Sequence, residues 1–308
     1  MILSICPNPS IDCTIELDSL NVGMLNRIDN KVETYSGKAL NVAIGVARLG
    51  GDSVASGFMF ENHNALFQSA LKKDDVKTDF VVCEGSTRVN YKIIDKKAML
   101  TEINDKGERV AWAKQEELLK RVARLSKSAK IAVISGTLPQ GVGDDFYGKL
   151  VSQIPKGVKI IIDAEKQNVI SAIGGGEIFM VKPNLPELEN FAGKRISSHE
   201  EMVTASKKYI ELGVKYVLIS LGANGAILTD GTNSYYCKSA NVAVNSTVGA
   251  GDSMVAAVCV GLTENVSDEE LLKRAVSAGT AAVTTSGTNL FYKDKYDEIY
   301  QKLKVEKI

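Results

Sequence analysis

Histidine is almost missing from this chain: only His63 and His199 occur in 308 residues. Neither is spaced from a cysteine as a metal ligand would be, so a Cys/His metal centre is not expected and both are assigned structural or surface roles. The five cysteines (Cys6, Cys13, Cys83, Cys237, Cys259) make no C-x-x-C pair and are odd in number. That pattern fits reduced, buried thiols in a cytoplasmic protein better than a disulfide framework. Net charge is absent too, because 37 basic residues balance 37 acidic ones. No global field draws the chain to nucleic acid or to an anionic membrane, so any bound anion must be held by local cations. The apolar run MVAAVCVGL (254–262) is far short of the roughly 20 residues that span a bilayer. The opening MILSICPNPSID lacks a basic leader before a cleavable apolar core, so no signal peptide is expected. No repeat, low-complexity tract or Pro/Gly/Ser linker divides the chain. Also missing are G-x-x-x-x-G-K-[ST] and a G-x-G-x-x-G opening the first helix, which leaves a P-loop fold unsupported and counts against a Rossmann dinucleotide site.

What is present reads as α/β. KIAVISG (130–136), KIIIDA (159–164), IFMVKPN (178–184) and YVLISLG (216–222) are short β-branched runs of the kind that form buried strands. Amphipathic segments separate them. SSHEEMVTASKKYIELG carries Ser198 and Glu201 in capping-box spacing and stops at Gly213, and SDEELLKRAVSAGTAAVTT starts similarly with Ser267 and Glu270. Strand–helix alternation predicts a mainly parallel sheet with helices on both faces, binding its ligand beyond the carboxyl ends of the strands. Two stretches, about 12–36 and 80–106, alternate with period two and lack long helices. They are read as one small half-exposed sheet, a lid on the larger body, with extra edge strands of the main sheet as the alternative. A thin sheet with one apolar face is a natural surface for two copies to pair, so a homodimer through the lid is expected.

Chemistry concentrates in three places. STVGAGDSM (246–254) sets Asp252 directly after a glycine-rich turn that opens a helix. Helix N-termini favour anions, so the amides of Gly249, Ala250 and Gly251 can converge on a phosphoryl group while Asp252 serves as cap, base or both. KPNLPE places Asn184 and Glu187 three apart after a strand, where both can reach one metal-bound water or phosphate oxygen. Mg²⁺ takes a few hard oxygen ligands plus waters and phosphates, which suits such a sparse set. SLGANGA (220–226) offers two glycines after another strand, either for close approach to a nucleotide or as a hairpin turn into AILTD.

With these segments in order, the chain resembles the pfkB family of ribokinase-like carbohydrate kinases over nearly its whole length. TVGAGDSMVAA is similar to the family's C-terminal signature and SGKALNVAIGVARLGG (36–51) to its N-terminal one; NPSID, ISGTLPQG (134–141), KPNLPE and SLGANGA fall between in family order. TEIND and NPSIDCTIEL resemble most the members that act on fructose 1-phosphate or tagatose 6-phosphate. The resemblance implies a three-layer sandwich with a small β-sheet lid, ATP and Mg²⁺ as cofactors, and a phosphosugar as acceptor. It implies Asp252 as catalytic base, with Gly249, Ala250 and Gly251 as anion hole. Asn184 and Glu187 are implied near Mg²⁺, with Lys182, Asn184, Ser220, Gly222 and Gly225 at the nucleotide. On the sugar side, Asp12, Gly37, Lys38 and Asn41 match hydroxyl-reading positions, and Arg27 and Arg88 suit the substrate's phosphate.

Two departures stand out. The first signature usually reads G-G-K-G, and here it is Ser36-Gly37-Lys38-Ala39; after KIIID the family often has Thr-Ser-Gly, and here Ala164-Glu165-Lys166 follows Asp163. Asp163 is therefore assigned no role. The reading is an ATP-dependent kinase making a ketohexose bisphosphate, fructose 1-phosphate being the first choice of acceptor and tagatose 6-phosphate the second. A catalytically silent sugar-phosphate sensor is the rival of another class, and a retained base argues against it.

Overall fold

The computed structural model describes residues 1–97, 99–285 and 290–308. Chain order begins β1 (Ile2–Cys6), β2 (Ser10–Leu17), β3 (Asn30–Ser36), α1 (Lys38–Arg48), β4 (Ser53–Phe60), α2 (Glu61–Lys73), β5 (Lys77–Cys83), β6 (Arg88–Asp95) and β7 (Leu100–Asn104). It continues α3 (Trp112–Leu125), β8 (Ile131–Ser135), α4 (Phe146–Ser152), β9 (Lys159–Asp163), α5 (Lys166–Gly175), β10 (Met180–Val181), α6 (Leu185–Ala192) and α7 (His199–Glu211). The last part is β11 (Tyr216–Ser220), β12 (Ala226–Thr229), β13 (Ser234–Cys237), α8 (Ala250–Glu264), α9 (Asp268–Ala282), α10 (Lys293–Tyr300) and β14 (Val305–Lys307).

Among the described residues the strands form two sheets. The larger runs β14-β13-β12-β11-β10-β9-β8-β1-β4-β5. From β11 to β5 it is parallel, while β12, β13 and β14 extend it antiparallel. The strand runs bury both faces, as a parallel sheet between helix layers requires. Ala132, Ile134, Ile160 and Ile162 point into a core with α3, α4, α5, α6 and α7. Ile131, Val133 and Ile161 point the other way, into a core with α1, α8, α9 and α10. The helix starts follow the chain's own caps: Ser198 accepts from the Glu201 amide and Ser267 from the Glu270 amide. All five cysteines are free and buried. His63 accepts from the Thr87 amide and His199 packs on Tyr236, so both histidines are structural.

The smaller sheet has the order β3-β2-β6-β7. In its parallel centre Ser10 stands beside Arg88, Asp12 beside Asn90 and Thr14 beside Lys92. Side chains alternate across a strand, so these six share one polar face, while Ile11, Cys13, Ile15, Val89 and Ile93 share the other. The sheet is smaller than the sequence reading made it. Residues 80–83 finish β5 in the large sheet, paired with β4, because Phe80, Val81 and Cys83 are buried on both sides. The segment that enters the small sheet starts at Arg88, and Ala98 within it lies outside the described residues. SLGANGA is the hairpin turn from β11 into β12.

Candidate active site

Strands β8, β9, β10 and β11 end side by side, and their carboxyl ends supply the polar floor of the site. Asp163 closes β9 with only 1% of its surface exposed. Its carboxylate lies 3.4 Å from Lys182 Nζ, just past β10, and 3.5 Å from Lys38 Nζ at the first turn of α1. Burial alone raises a carboxyl pKa. Here Lys182 and Lys38 together outweigh burial, and Asp163 is held below the usual aspartate range. Lys38 is raised in turn, first by Asp163 against the effect of burial, with Asp252 and Glu187 adding to it.

Asp252 lies in the first turn of α8, is buried, and accepts a 2.8 Å hydrogen bond from Asn41 Nδ2 on α1. Burial pushes its pKa up, the Asp163 charge pushes further, and Asn41, Lys38 and Lys182 pull it back; it settles at about 6. Two neighbouring carboxylates thus have opposite tendencies, the pattern that separates a proton acceptor from a permanent anion. The helix start is made by Gly249, whose φ of 78° is a left-handed cap that few other residues adopt. The amides of Ala250, Gly251 and Asp252 have no acceptor within the helix. A side chain at Gly251 would stand 3.0 Å from Lys182 Nζ, so the glycine lets that ammonium approach the helix end.

Asn184 and Glu187 form a reciprocal cap on α6. Asn184 N–H donates to Glu187 Oε2 and Glu187 N–H to Asn184 Oδ1, both at 2.8 Å. Glu187 Oε1 has no hydrogen bond among the described residues. With Lys166, Lys182 and Tyr209 it lines a cavity of about 210 Å³. A bridge between Asn184 and Ser220 sets KPNLPE beside the Gly222–Asn224 turn, and Gly225 completes that turn.

The polar face of the small sheet carries a second group of candidate residues. Asp12 is buried, accepting from Ser10 Oγ at 3.2 Å, Asn90 Nδ2 at 3.3 Å and Lys92 Nζ at 3.0 Å. Gly37 joins β3 to α1, packed where a side chain would strike Cys6 Sγ at 2.8 Å. Arg88 donates to the backbone carbonyls of Pro9, Asn8 and Asp105.

The structure therefore brings together Asp252, Asn41, Lys38, Lys182 and the glycine turn, and brings Asp12 and Arg88 to one sheet face. Arg27, Lys38 and Arg88 share no partner among the described residues. Arg27 is exposed on the connection between β2 and β3, and Lys38 belongs to Asp163. Sequence reasoning passed over Asp163, Asn90 and Lys92. A lone acid ending the apolar run KIIID was the available signal for Asp163. For Lys92 there was only its place two residues beyond Asn90 on an alternating strand.

A model of the pfkB family carbohydrate kinases matches residues 7–295. A tagatose-6-phosphate kinase of Staphylococcus epidermidis is 31% identical over 308 residues, covering 99% of each chain. A 1-phosphofructokinase of Vibrio cholerae is 26% identical over 305 residues, covering 99% of this chain and 96% of the relative. The crystal structure of phosphofructokinase-2 from Escherichia coli in complex with substrates and products superposes with a TM-score of 0.91 at 29% identity, covering 98% of each chain.

The carboxyl carbon of Asp252, followed by NMR in the free protein, is expected to titrate near 6, well above the ~3.9 of an ordinary aspartate. Asn41→Ala removes a bond that favours the charged form, so the midpoint should climb. An ordinary midpoint in both proteins would remove the electrostatic distinction between Asp252 and Asp163.

Proposed function

The chain belongs to the pfkB family of carbohydrate kinases and is an ATP-dependent phosphosugar kinase; within that class we propose that it converts fructose 1-phosphate to fructose 1,6-bisphosphate, with Asp252 as base. The observation that carries this reading is the buried Asp252–Asn41 pair at the opening of α8, flanked by Lys38 and Lys182. Asp252 takes the proton of the acceptor hydroxyl as its oxygen forms a bond to the γ-phosphorus. The bond from that phosphorus to the β–γ bridging oxygen breaks, ADP leaves with the electron pair, and Asp252 returns its proton to solvent. A carboxylate with pKa near the working pH suits this transfer. The free amides of Ala250 and Gly251, with Lys182, face the charge on the transferred group, where positioning and electrostatics dominate catalysis. The triphosphate lies by Lys182 and Asn184, and Ser220, Gly222 and Gly225 approach the nucleotide. Glu187 Oε1, with Asn184 beside it, would hold Mg²⁺ together with phosphate oxygens, and such an ion would draw charge from the γ-phosphoryl group.

On the sugar side Gly37, Lys38, Asn41 and Asp12 meet the acceptor's hydroxyls and Arg88 its phosphate. Tagatose 6-phosphate is the second reading, favoured by the higher identity to a kinase named for it. In an ADP-release assay over both sugar phosphates, fructose 1-phosphate should give the higher kcat/KM. Asp252→Asn should lower turnover by at least ~100-fold with ATP binding kept. Near-normal turnover of the folded variant would overturn the base, and preference for tagatose 6-phosphate would select the second reading.

The small sheet is a lid in this proposal, and the two sheets together make one kinase domain across 1–308. Closure over the sugar excludes water and strengthens the electrostatics at Asp252. Hydrogen exchange in β2, β3, β6 and β7 should slow more with fructose 1-phosphate than with ATP. Equal protection by both would sink the lid.

Two copies pair through this lid. Met24, Leu25, Ile28, Val32 and Leu100 are exposed at its outer end, and an apolar patch of this kind marks an interface. Arg27 lies within the patch, so its guanidinium would face the partner subunit. The free, buried thiols support a cytoplasmic setting. Light scattering should give twice the chain mass for the native protein and the chain mass for Leu25→Glu; a native monomer would end the dimer reading.

A further inference from the structure

Lys92 is a buried cation that uses little of its hydrogen-bonding capacity. It lies at the centre of the small sheet, 7% exposed, and its one hydrogen bond among the described residues goes to Asp12 Oδ2 at 3.0 Å. An ammonium carries three donors, so two are unspent. Asn90, one pleat away on the same face, presents the complementary shortfall. Its Nδ2 donates to Asp12, and its buried Oδ1 has no partner among the described residues. A carboxylate only accepts, so this contact fixes the amide's orientation and turns Oδ1 away from Asp12. Unmade bonds at buried polar atoms are costly. Here donors and an acceptor are left unmade together, on the face that carries Asp12.

The charges indicate what would satisfy them. Lys92 and Asp12 neutralise each other, and no other ion pair touches either among the described residues. A neutral array of donor and acceptors matches neutral hydroxyls rather than a phosphate. Arg88 at the sheet's inner end is the contrasting case. It donates only to backbone carbonyls and has no carboxylate within ion-pair distance among the described residues, so its full charge stays available to an anion. Along one strand the chain thus separates a phosphate-facing guanidinium from a hydroxyl-facing ammonium and amide.

We infer that Lys92 and Asn90, with Asp12, read the configuration of the acceptor's hydroxyls and set the enzyme's choice between ketohexose epimers. This rests on the phosphosugar-kinase reading above. Fructose and tagatose differ only in the configuration at C4. A site that pairs each hydroxyl with a fixed donor or acceptor leaves one of its own buried groups unpaired when the wrong epimer binds, and discrimination follows from that.

The test compares kcat/KM for fructose 1-phosphate and tagatose 1-phosphate, and for the same pair phosphorylated at C6, in wild type, Lys92→Met, Asn90→Ala and Arg88→Ala. Wild type should prefer one epimer. Lys92→Met should shrink that preference by about tenfold, the low end for a charge-assisted hydrogen bond. Asn90→Ala, which removes a buried polar group instead of stranding a charge, should shrink it in the same direction and serves if Lys92→Met does not fold. Arg88→Ala should weaken both epimers alike and keep the ratio. If Lys92 is only a structural ion pair, its loss will depress both epimers equally, and an unmoved ratio in Lys92→Met and Asn90→Ala overturns the inference. So does a wild type with no epimer preference. A wild type that phosphorylates no ketohexose phosphate at all would instead overturn the kinase reading itself.

Discussion

Asp163 between Lys38 and Lys182 is the contact on which the rest of the site hangs. A carboxylate with 1% exposure is tolerated only when paired, and its two partners come from different parts of the chain. Lys38 belongs to the first turn of α1, Lys182 to the end of β10. The triad therefore pins the segment leaving the small sheet to the carboxyl edge of the large one. Breaking a buried pair leaves an uncompensated charge, at a cost of roughly 3–5 kcal/mol. The two acids respond to pH in opposite directions. Asp163 is lowered in the fold, so its stabilisation is present at neutral pH and lost on acidification. Asp252 is raised, so its ionisation costs stability as pH climbs from the unfolded value toward about 6. One carboxylate holds the site together; the other is destabilised by burial and by the charge of the first.

The charge balance around α8 explains why the glycine turn is where it is. Lys182 stands against the N-terminal turn of a helix, where the exposed amides already carry positive potential. A cation there is unfavourable unless anions surround it. Asp163 and Asp252 supply part of that negative charge. A transferred phosphoryl group would supply more, at the moment when its own charge needs support. Glycine at 249 permits the left-handed turn, and glycine at 251 leaves space for the ammonium. A bulkier sequence could still form the helix but would displace the cation from its end.

Much of the architecture was legible in the sequence, because β-branched runs and Ser-x-x-Glu caps act locally. β8, β9 and β11 fall where the apolar runs lie, and Ser198 and Ser267 cap as their spacing implied. Contacts between distant segments were not legible. FVVC alternates too weakly to tell a small exposed sheet from a buried edge strand, and only pairing with β4 decides it. Arg27, Lys38 and Arg88 are alike as charges, but the fold sends one to solvent, one to Asp163 and one to backbone carbonyls. Asp163 was set aside because the residues after it are unusual for the family, although its own side chain makes the buried ion pairs to Lys38 and Lys182. Glu187 shows the reverse. Its spacing from Asn184 encodes a capping box and a cation ligand equally well, and the cap uses only one of its two oxygens.

Four chain crossings connect the small sheet to the body, and they converge. Residues 7–9 lead from β1 into β2, Gly37 leads from β3 into α1, residues 84–87 lead from β5 into β6, and Asp105 begins the return from β7. Arg88, at the third crossing, hydrogen-bonds the carbonyls of Asn8 and Pro9 at the first and Asp105 at the fourth. Gly37, at the second, packs against Cys6 and Pro9 so closely that no side chain fits. One guanidinium and one bare backbone position thus tie all four crossings together. Ser10 and Asp12 follow the first crossing, and Lys38 and Asn41 follow the second. A tilt of the small sheet would turn about this knot, carrying Asp12 with it, while Asp252 stays with the large sheet. In the proposed reading, closure over a substrate would turn about this knot, next in the chain to Ser10, Asp12, Lys38 and Asn41, so binding and closure would be coupled there.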